Sequence, residues 1–186
     1  MKGRTNTNAL ITAILACTIL SSAAAGQDTA AVDTSMGGGD KRAAADTLAV
    51  IRMEGGGTVK FEFMPEKAPL AVRRIKELII SGFYNGLEFH RVEPYLVQTG
   101  RKEHDYPVVS GEMFSQYIKH EAGMIGMARL PSDYDSATTQ FYICKRAIPS
   151  INGEYTLFAR VVEGMDVVKS IEEGDRIESC FLSAEH

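Results

Sequence analysis

Alternation of apolar and polar side chains runs through several short stretches of the chain and predicts β-strands. After Thr58, for example, Val59, Phe61 and Phe63 alternate with two charged residues, the pattern of a strand buried on one face. Glycines 55 to 57 separate this stretch from the one before it and predict a turn there. The same reasoning predicts strands at residues 47–53, 58–64, 123–128, 140–144, 155–162 and 177–182.

Two stretches follow a helical period instead. After Pro69, an apolar stripe predicts a helix from about Leu70 to Ser81, and Gly82 is a suitable stop. The stripe consists of Val72, Ile75, Leu78 and Ile79. A second short helix is predicted from Val167 to Glu172. Many short strands with turn signals between them, and only two helices, predict a mainly β fold, a closed antiparallel barrel capped by the helices.

Residues 89–100, with the sequence FHRVEPYLVQTG, concentrate more chemistry than any other stretch. They predict two short strands with a bend at Pro94. In the second strand, alternation places Leu96 and Gln98 on one face, and Tyr95 and Val97 on the other. Arg91 lies inside the first strand, where a charge requires that its face meet solvent or a ligand. Spacing alone favours an ordinary half-exposed strand with a solvated arginine.

A second stretch, SATTQFYI at residues 136–143, adds further side chains of this kind. Alternation places Gln140 and Tyr142 on one face of its strand and turns Phe141 to the other, which we expect to be the core. The two stretches together offer one arginine, two glutamines and several aromatic side chains to a shared surface.

The first 25 residues have the pattern of a secretory signal peptide. A basic start is followed by the apolar run ALITAILACTIL, too short to span a membrane, and by small residues suited to cleavage before Gly26. An uncleaved anchor is one alternative. A lipid anchor at Cys17 is another, because residues 14–17 resemble a lipobox, although the apolar run continues past the cysteine. Ordinary cleavage and export to the periplasm or cell envelope is the reading we prefer.

Residues 26–46 are rich in alanine, threonine, aspartate and glycine and show no apolar period, so we expect a flexible tether. The folded domain is then predicted at residues 47–184. With 45% hydrophobic and 24% charged residues, the 186-residue chain fits one globular domain plus these extra segments.

Charge and composition exclude several classes of partner. The net charge is −4 and no basic cluster occurs, so we expect no nucleic acid partner. The three cysteines form no CxxC pair and the four histidines have no ligand spacing, so we expect no metal and no cofactor. After cleavage only Cys144 and Cys180 remain, and two free thiols are a slightly better expectation than a disulfide.

The stretch FHRV, an aromatic residue and Gln-x-Gly closely resembles the signature of the cyclophilin-type peptidyl-prolyl isomerases, and SATTQFYI resembles that family's second signature. GMARLPSDYD before it is similar to the bacterial versions. The resemblance runs from about Thr47 to about Ile177. It implies the eight-stranded cyclophilin barrel and an enzyme that isomerises X-Pro bonds. With the predicted signal peptide, this enzyme would act after export on folding or secreted proteins. A module that binds proline-containing segments without turnover is the alternative, and a barrel that only scaffolds an assembly is a third reading.

The resemblance also implies roles for individual residues. Arg91 stands where the family has its catalytic arginine, and Gln98 and Gln140 stand where glutamines hydrogen-bond the substrate backbone. The apolar pocket around the proline corresponds to Tyr95, Leu96, Tyr142 and Ile151. The rim that meets the preceding residue corresponds to Ala128 and Arg129, and Tyr155 stands where many relatives have histidine.

Several positions depart from the family pattern. Tyr95 and Tyr142 replace the usual phenylalanines, so the buried hydroxyl of Tyr142 needs a partner. Ser150 replaces a tryptophan of some relatives. Ala71 stands where relatives commonly have a threonine near a helix start, which implies that a capping hydroxyl is missing here. A shorter, charged segment replaces the glycine-rich loop after Gln98. We expect a monomer that binds proline-containing polypeptides and has no stable membrane span.

Overall fold

The structure, a computed structural model, describes residues 48–112 and 118–183. The predicted signal peptide, with its Cys17, and the predicted tether lie outside the described residues. In the described part, no helix is both long enough and apolar enough to cross a membrane. The strands are β1 Leu48–Met53, β2 Thr58–Phe63, β3 Arg91–Val92, β4 Leu96–Thr99, β5 Met124–Met127, β6 Phe141–Cys144, β7 Leu157–Glu163 and β8 Ile177–Ser183. The helices are α1 Pro69–Ile80 and α2 Met165–Ser170, and a 3-10 turn spans Pro149–Ile151.

The eight strands form one curled, antiparallel sheet in the order β3-β4-β6-β5-β7-β2-β1-β8. The segments that precede its two outer strands also meet. Glu88, ahead of β3, forms an isolated antiparallel bridge with Arg176, ahead of β8. Beside it, the Phe89 N–H donates to the Asp175 carbonyl at 2.8 Å and the Gly86 N–H to the Ile177 carbonyl at 2.7 Å. The prediction of a mainly β fold with two helices is confirmed.

One face of the curled sheet and helix α1 enclose the main core. The predicted stripe of α1 is buried, with Ile75 and Leu78 both 0% exposed. Strand alternation supplies many of the other core side chains, because every second residue of a strand faces the same way. The largest of these are Phe61, Phe141, Phe158, Ile51, Ile125, Met127 and Ile143, and Tyr84 and Phe89 join them from outside the strands.

The N-terminus of α1 is capped from a distant part of the chain. The helix begins one residue earlier than predicted, at Pro69, and its N-cap Ala68 makes no side-chain hydrogen bond. The buried carboxylate of Glu112 accepts the N–H groups of Leu70 at 2.8 Å and Ala71 at 2.9 Å. A carboxylate there satisfies two otherwise unpaired donors and interacts favourably with the helix dipole. No hydroxyl at the start of the helix caps it, as the sequence predicts, and the carboxylate of Glu112 takes that place.

Both described cysteines are free and buried. Cys180 lies in the main core, whereas Cys144 belongs to a separate small cluster on the other face of β6. Burial raises the pKa of each thiol to about 12. The two cysteines are therefore free, unreactive thiols, and the expectation of no disulfide between them is confirmed.

Candidate functional site

A groove of about 620 Å³ lies on the side of β4 and β6 that faces away from the main core. Aromatic, aliphatic and arginine side chains share its surface. It is lined by Arg91, Tyr95, Leu96, Gln98, Ala128, Arg129, Pro131, Tyr142, Arg146, Ala147, Ile148, Pro149, Ser150, Ile151 and Tyr155. Nine of the ten side chains predicted for the site are in this lining, and the tenth, Gln140, contacts it through Gln98.

Strand β4 places its side chains largely as alternation predicts. Leu96 and Gln98 face the groove, whereas Val97 is fully buried in the main core. Tyr95 also lines the groove, so its predicted place beside Val97 is wrong. The reason is that Tyr95 lies in the bend before β4, where the alternation of an extended strand does not hold. The resemblance, in contrast, assigned Tyr95 to the apolar pocket around the proline, and Tyr95 does line the groove.

Arg91 stands at the open edge of the groove with its side chain 46% exposed. β3 pairs with β4 so that Arg91 is opposite Gln98. The guanidinium donates to the Gln98 side-chain oxygen at 3.4 Å and to Glu93 at 3.5 Å, both long for hydrogen bonds. Gln98 in turn donates to the side-chain oxygen of Gln140 at 3.0 Å. The result is a short polar chain in which the arginine keeps N–H groups for a ligand.

Tyr142 forms the floor of the groove and is only 3% exposed. Its hydroxyl lies 2.8 Å from Nε2 of His120, which supplies the partner that the sequence analysis required. Burial raises the pKa of Tyr142 well above its usual value, so the phenol stays neutral. The ring meets that of Tyr155 edge to face, with centroids 5.8 Å apart. The sequence analysis assigned no role to His120, because nothing local in the sequence pairs it with Tyr142.

Arg129 lies between two tyrosine rings, 4.1 Å from the centroid of Tyr134 and 4.5 Å from that of Tyr155. Its side chain is 6% exposed. All of its nitrogens donate to backbone carbonyls, those of Leu130, Pro131 and Glu154. Arg129 thus lines the groove, and its hydrogen bonds hold that edge together rather than offer free N–H groups.

The segment after β6 completes the lining, and most of it escaped the sequence analysis. Pro149 begins the 3-10 turn, and the guanidinium of Arg146 lies 5.9 Å from the ring centroid of Tyr95. A proline that follows a strand was the available signal for this turn.

Among the described lining residues are three arginines and no carboxylate. Two of these arginines lie beside carboxylates just outside the lining, Arg91 near Glu93 at 3.5 Å and Arg129 near Glu154 at 3.7 Å. The groove therefore offers an apolar floor with the positive charge of Arg146 at its edge.

Comparison with known proteins adds independent information. The family model described as "Cyclophilin type peptidyl-prolyl cis-trans isomerase/CLD" matches residues 48–182. Peptidyl-prolyl cis-trans isomerase B of Bacillus subtilis is 34% identical over 129 residues, which cover 66% of this chain and 89% of the relative. A peptidyl-prolyl cis-trans isomerase of Helicobacter pylori is 35% identical over 138 residues, covering 68% and 82%.

Solved structures show the same fold. Cyclophilin AquaCyp293 from Hirschia baltica superposes with a TM-score of 0.67 at 23% identity, covering 74% of both chains. A Cryptosporidium parvum cyclophilin-type isomerase, solved in the presence of the dipeptide Ala-Pro, gives a TM-score of 0.66 at 19% identity, covering 74% of this chain and 99% of the other.

Proposed function

The chain belongs to the cyclophilin-type peptidyl-prolyl cis-trans isomerase family, and from this premise we propose that the groove is where the X-Pro bond is isomerised. The observation that carries the proposal is the polar chain from Arg91 through Gln98 to Gln140, which lies beside the floor of Tyr142. These residues come from separate parts of the chain, and together they offer hydrogen bonds next to an apolar surface.

The reaction needs a grip on the proline ring and a donor for the twisted amide. Rotation about the X-Pro bond has a barrier of about 18–20 kcal/mol because amide resonance must be lost. In the twisted state the nitrogen lone pair is localised, and a positioned cation stabilises it. Arginine carries a positive charge and presents its N–H groups in a fixed fork, which suits Arg91 to this role. No proton needs to be transferred and no nucleophile is needed.

Orientation of the substrate follows from the two ends of β6. Before the strand, the Gln140 carbonyl accepts the Ala128 N–H at 2.9 Å, and after it the Lys145 N–H donates to the Tyr95 carbonyl at 2.8 Å. At about 3.3 Å per residue, these ends lie about 16 Å apart. With the residue before proline at the Ala128 rim, as the resemblance implies, the residues after proline run toward Tyr95 and Arg146.

We also propose that the curled sheet closes into the barrel that the sequence analysis expected. The bridge between Glu88 and Arg176 and the hydrogen bonds beside it support this. Closure would remove the exposed edges of β3 and β8, which otherwise offer unpaired backbone groups to other chains. Protected amide hydrogens at Phe89 and Ile177 in hydrogen exchange would support closure, and rapid exchange at both would contradict it.

Export and processing are a separate proposal, supported by the signal-like pattern of residues 1–25. In it, residues 26–46 tether a domain of residues 47–184, and the mature monomer works on folding or secreted chains in the periplasm or cell envelope. Intact mass of the exported protein should correspond to a start at Gly26. A lipid-modified start at Cys17 would favour the lipoprotein alternative, and a full-length cytoplasmic product would contradict export.

The activity is tested directly by exchange NMR on a short Ala-Pro peptide with purified residues 26–186. Faster cis-trans exchange than in buffer alone is the expected result, because Arg91 is proposed to stabilise the twisted amide. X-Pro isomerisation is slow without a catalyst and can limit folding. Peptide binding without faster exchange would favour the non-catalytic module instead. The comparisons support the enzyme and give no support to that alternative.

A further inference from the structure

The hydroxyl of Tyr142 ends in a buried socket behind the groove, formed by Gly126, His120 and Asn152. His120 is 1% exposed, and its ring stacks on that of Tyr142 with centroids 6.1 Å apart. Gly126 is opposite Tyr142 in the β5–β6 ladder. A Cβ on Gly126 would overlap the Tyr142 ring and hydroxyl, so glycine leaves the space that the phenol fills.

Asn152 determines which nitrogen of the neutral His120 ring carries the proton. The backbone N–H of His120 donates to Oδ1 of Asn152 at 2.7 Å, so the amide atom at this place is an acceptor. Nδ1 of the same histidine lies 3.3 Å from that oxygen, which requires Nδ1 to be the donor. Nε2 is then left with its lone pair, and the Tyr142 O–H donates to it.

From this geometry we infer that His120 is a positioning residue of the isomerase, which turns the hydroxyl of Tyr142 away from the substrate and fixes its ring as the floor. The inference rests on the proposed function of the groove. A phenol hydroxyl that faced the groove would hold water, and a proline ring, which has no N–H, would displace that water without replacing its hydrogen bond. With the hydroxyl held by His120, the floor presents only its ring to proline.

The test compares His120→Leu in two backgrounds, the native chain and the Tyr142→Phe variant, with kcat and KM measured on an X-Pro peptide. In the native background the leucine leaves the phenol hydroxyl without its acceptor, and we expect kcat/KM to fall about tenfold, mainly through a higher KM. In the phenylalanine background there is no hydroxyl to hold, so the same change should alter kcat/KM by less than about twofold.

Two further variants serve as controls. His120→Gln retains an acceptor and should restore most of kcat/KM. His104→Leu removes a histidine outside the groove and should leave kcat/KM unchanged. Equal losses from His120→Leu in both backgrounds, or no loss in the native one, would overturn the inference. Thermal unfolding of each variant confirms that it is folded at the assay temperature.

A third measurement needs no variant and no activity. Nitrogen-15 NMR of the His120 ring in the native protein should show a protonated Nδ1 and an unprotonated Nε2 at neutral pH. The opposite tautomer would overturn the inference even if the enzyme is active. An inactive native protein with the expected tautomer would instead contradict the proposed function of the groove.

Discussion

The two faces of β6 show how differently the chain builds its core and its groove. Phe141 and Ile143 enter the main core, whose buried side chains are mostly apolar. Tyr142 and Cys144 enter the groove cluster, the small group of Leu96, Tyr142, Cys144 and Ile148. There the tyrosine hydroxyl has one specific partner, His120, at 2.8 Å. Substitutions on the core face should therefore change stability, and substitutions around the groove should change turnover.

The largest effect is expected on the core face, for Phe141→Ala. Phe141 is 1% exposed and meets Tyr84 and Phe158 edge to face, at centroid distances of 5.2 Å and 6.3 Å. Truncation to alanine should lower the free energy of unfolding by about 3–5 kcal/mol, because it leaves a cavity that the sheet cannot fill. Urea unfolding measures this. Tyr142→Phe on the other face should lower the free energy of unfolding by only about 1 kcal/mol. Equal losses from the two variants would contradict the difference between the faces.

Glu112→Ala removes a polar contact that serves stability rather than the groove. Two N–H groups of α1 lose their acceptor, so we expect the free energy of unfolding to fall by about 1–3 kcal/mol. The kcat/KM of the folded protein should stay within about twofold. Glu112→Gln, which retains one acceptor oxygen, is the matched variant and should lose less stability. A large fall in kcat/KM without unfolding would connect Glu112 to the groove and contradict the division.

Arg146→Ala should change specificity and leave stability unaltered. The described lining of the groove contains no carboxylate, and Arg146 stands at the end where residues after proline are proposed to run. The native enzyme should prefer glutamate over lysine after proline by about two- to fivefold, the range of exposed charge pairs, and less at high salt. Competition between two such peptides measures it. The preference should vanish in Arg146→Ala and persist in Lys169→Ala, an exposed control on α2.

The smallest effect is expected from pH on turnover. Burial lowers the pKa of His120 and of His90, and Arg101 lowers that of His90 further, so both are neutral in the folded protein at pH 7. The mechanism needs no proton transfer, so kcat/KM should be flat between about pH 7 and 8.5. A bell-shaped profile in this range would indicate proton transfer and contradict the mechanism.

Stability should depend on pH more than turnover does. Below about pH 6.5 the histidines of the unfolded chain bind protons that the folded ones do not. As the pH decreases, the free energy of unfolding should therefore decrease, until the pH passes below the lowered pKa values of the folded histidines. His120→Leu should reduce this dependence in urea unfolding at pH 7 and pH 5.5. An unchanged dependence would mean that His120 is not responsible.

Local sequence patterns were sufficient for the strands and helices, whereas most residues of the groove were assigned through the family resemblance. The period of α1 placed its ends within a residue, and alternation separated Phe141 from Tyr142, because both patterns repeat within a few residues. They were insufficient for Glu112, which caps a helix that begins more than 40 residues earlier in the chain. They were also insufficient for His120 and Asn152. These contacts join residues that are far apart in the chain, and the sequence around each residue does not indicate its partner.

The central claim is that Arg91 accelerates isomerisation electrostatically while contributing little to the fold. The most direct measurement is kcat/KM of Arg91→Ala beside its free energy of unfolding, with Arg52→Ala, another exposed strand arginine, as the control. We expect kcat/KM to fall about 10²–10³-fold, the effect of removing one positioned donor, and stability to change by less than about 0.5 kcal/mol. Arg91→Lys should also lose most of the activity, since an ammonium lacks the fork. Retention of kcat/KM within about threefold in Arg91→Ala would contradict the claim.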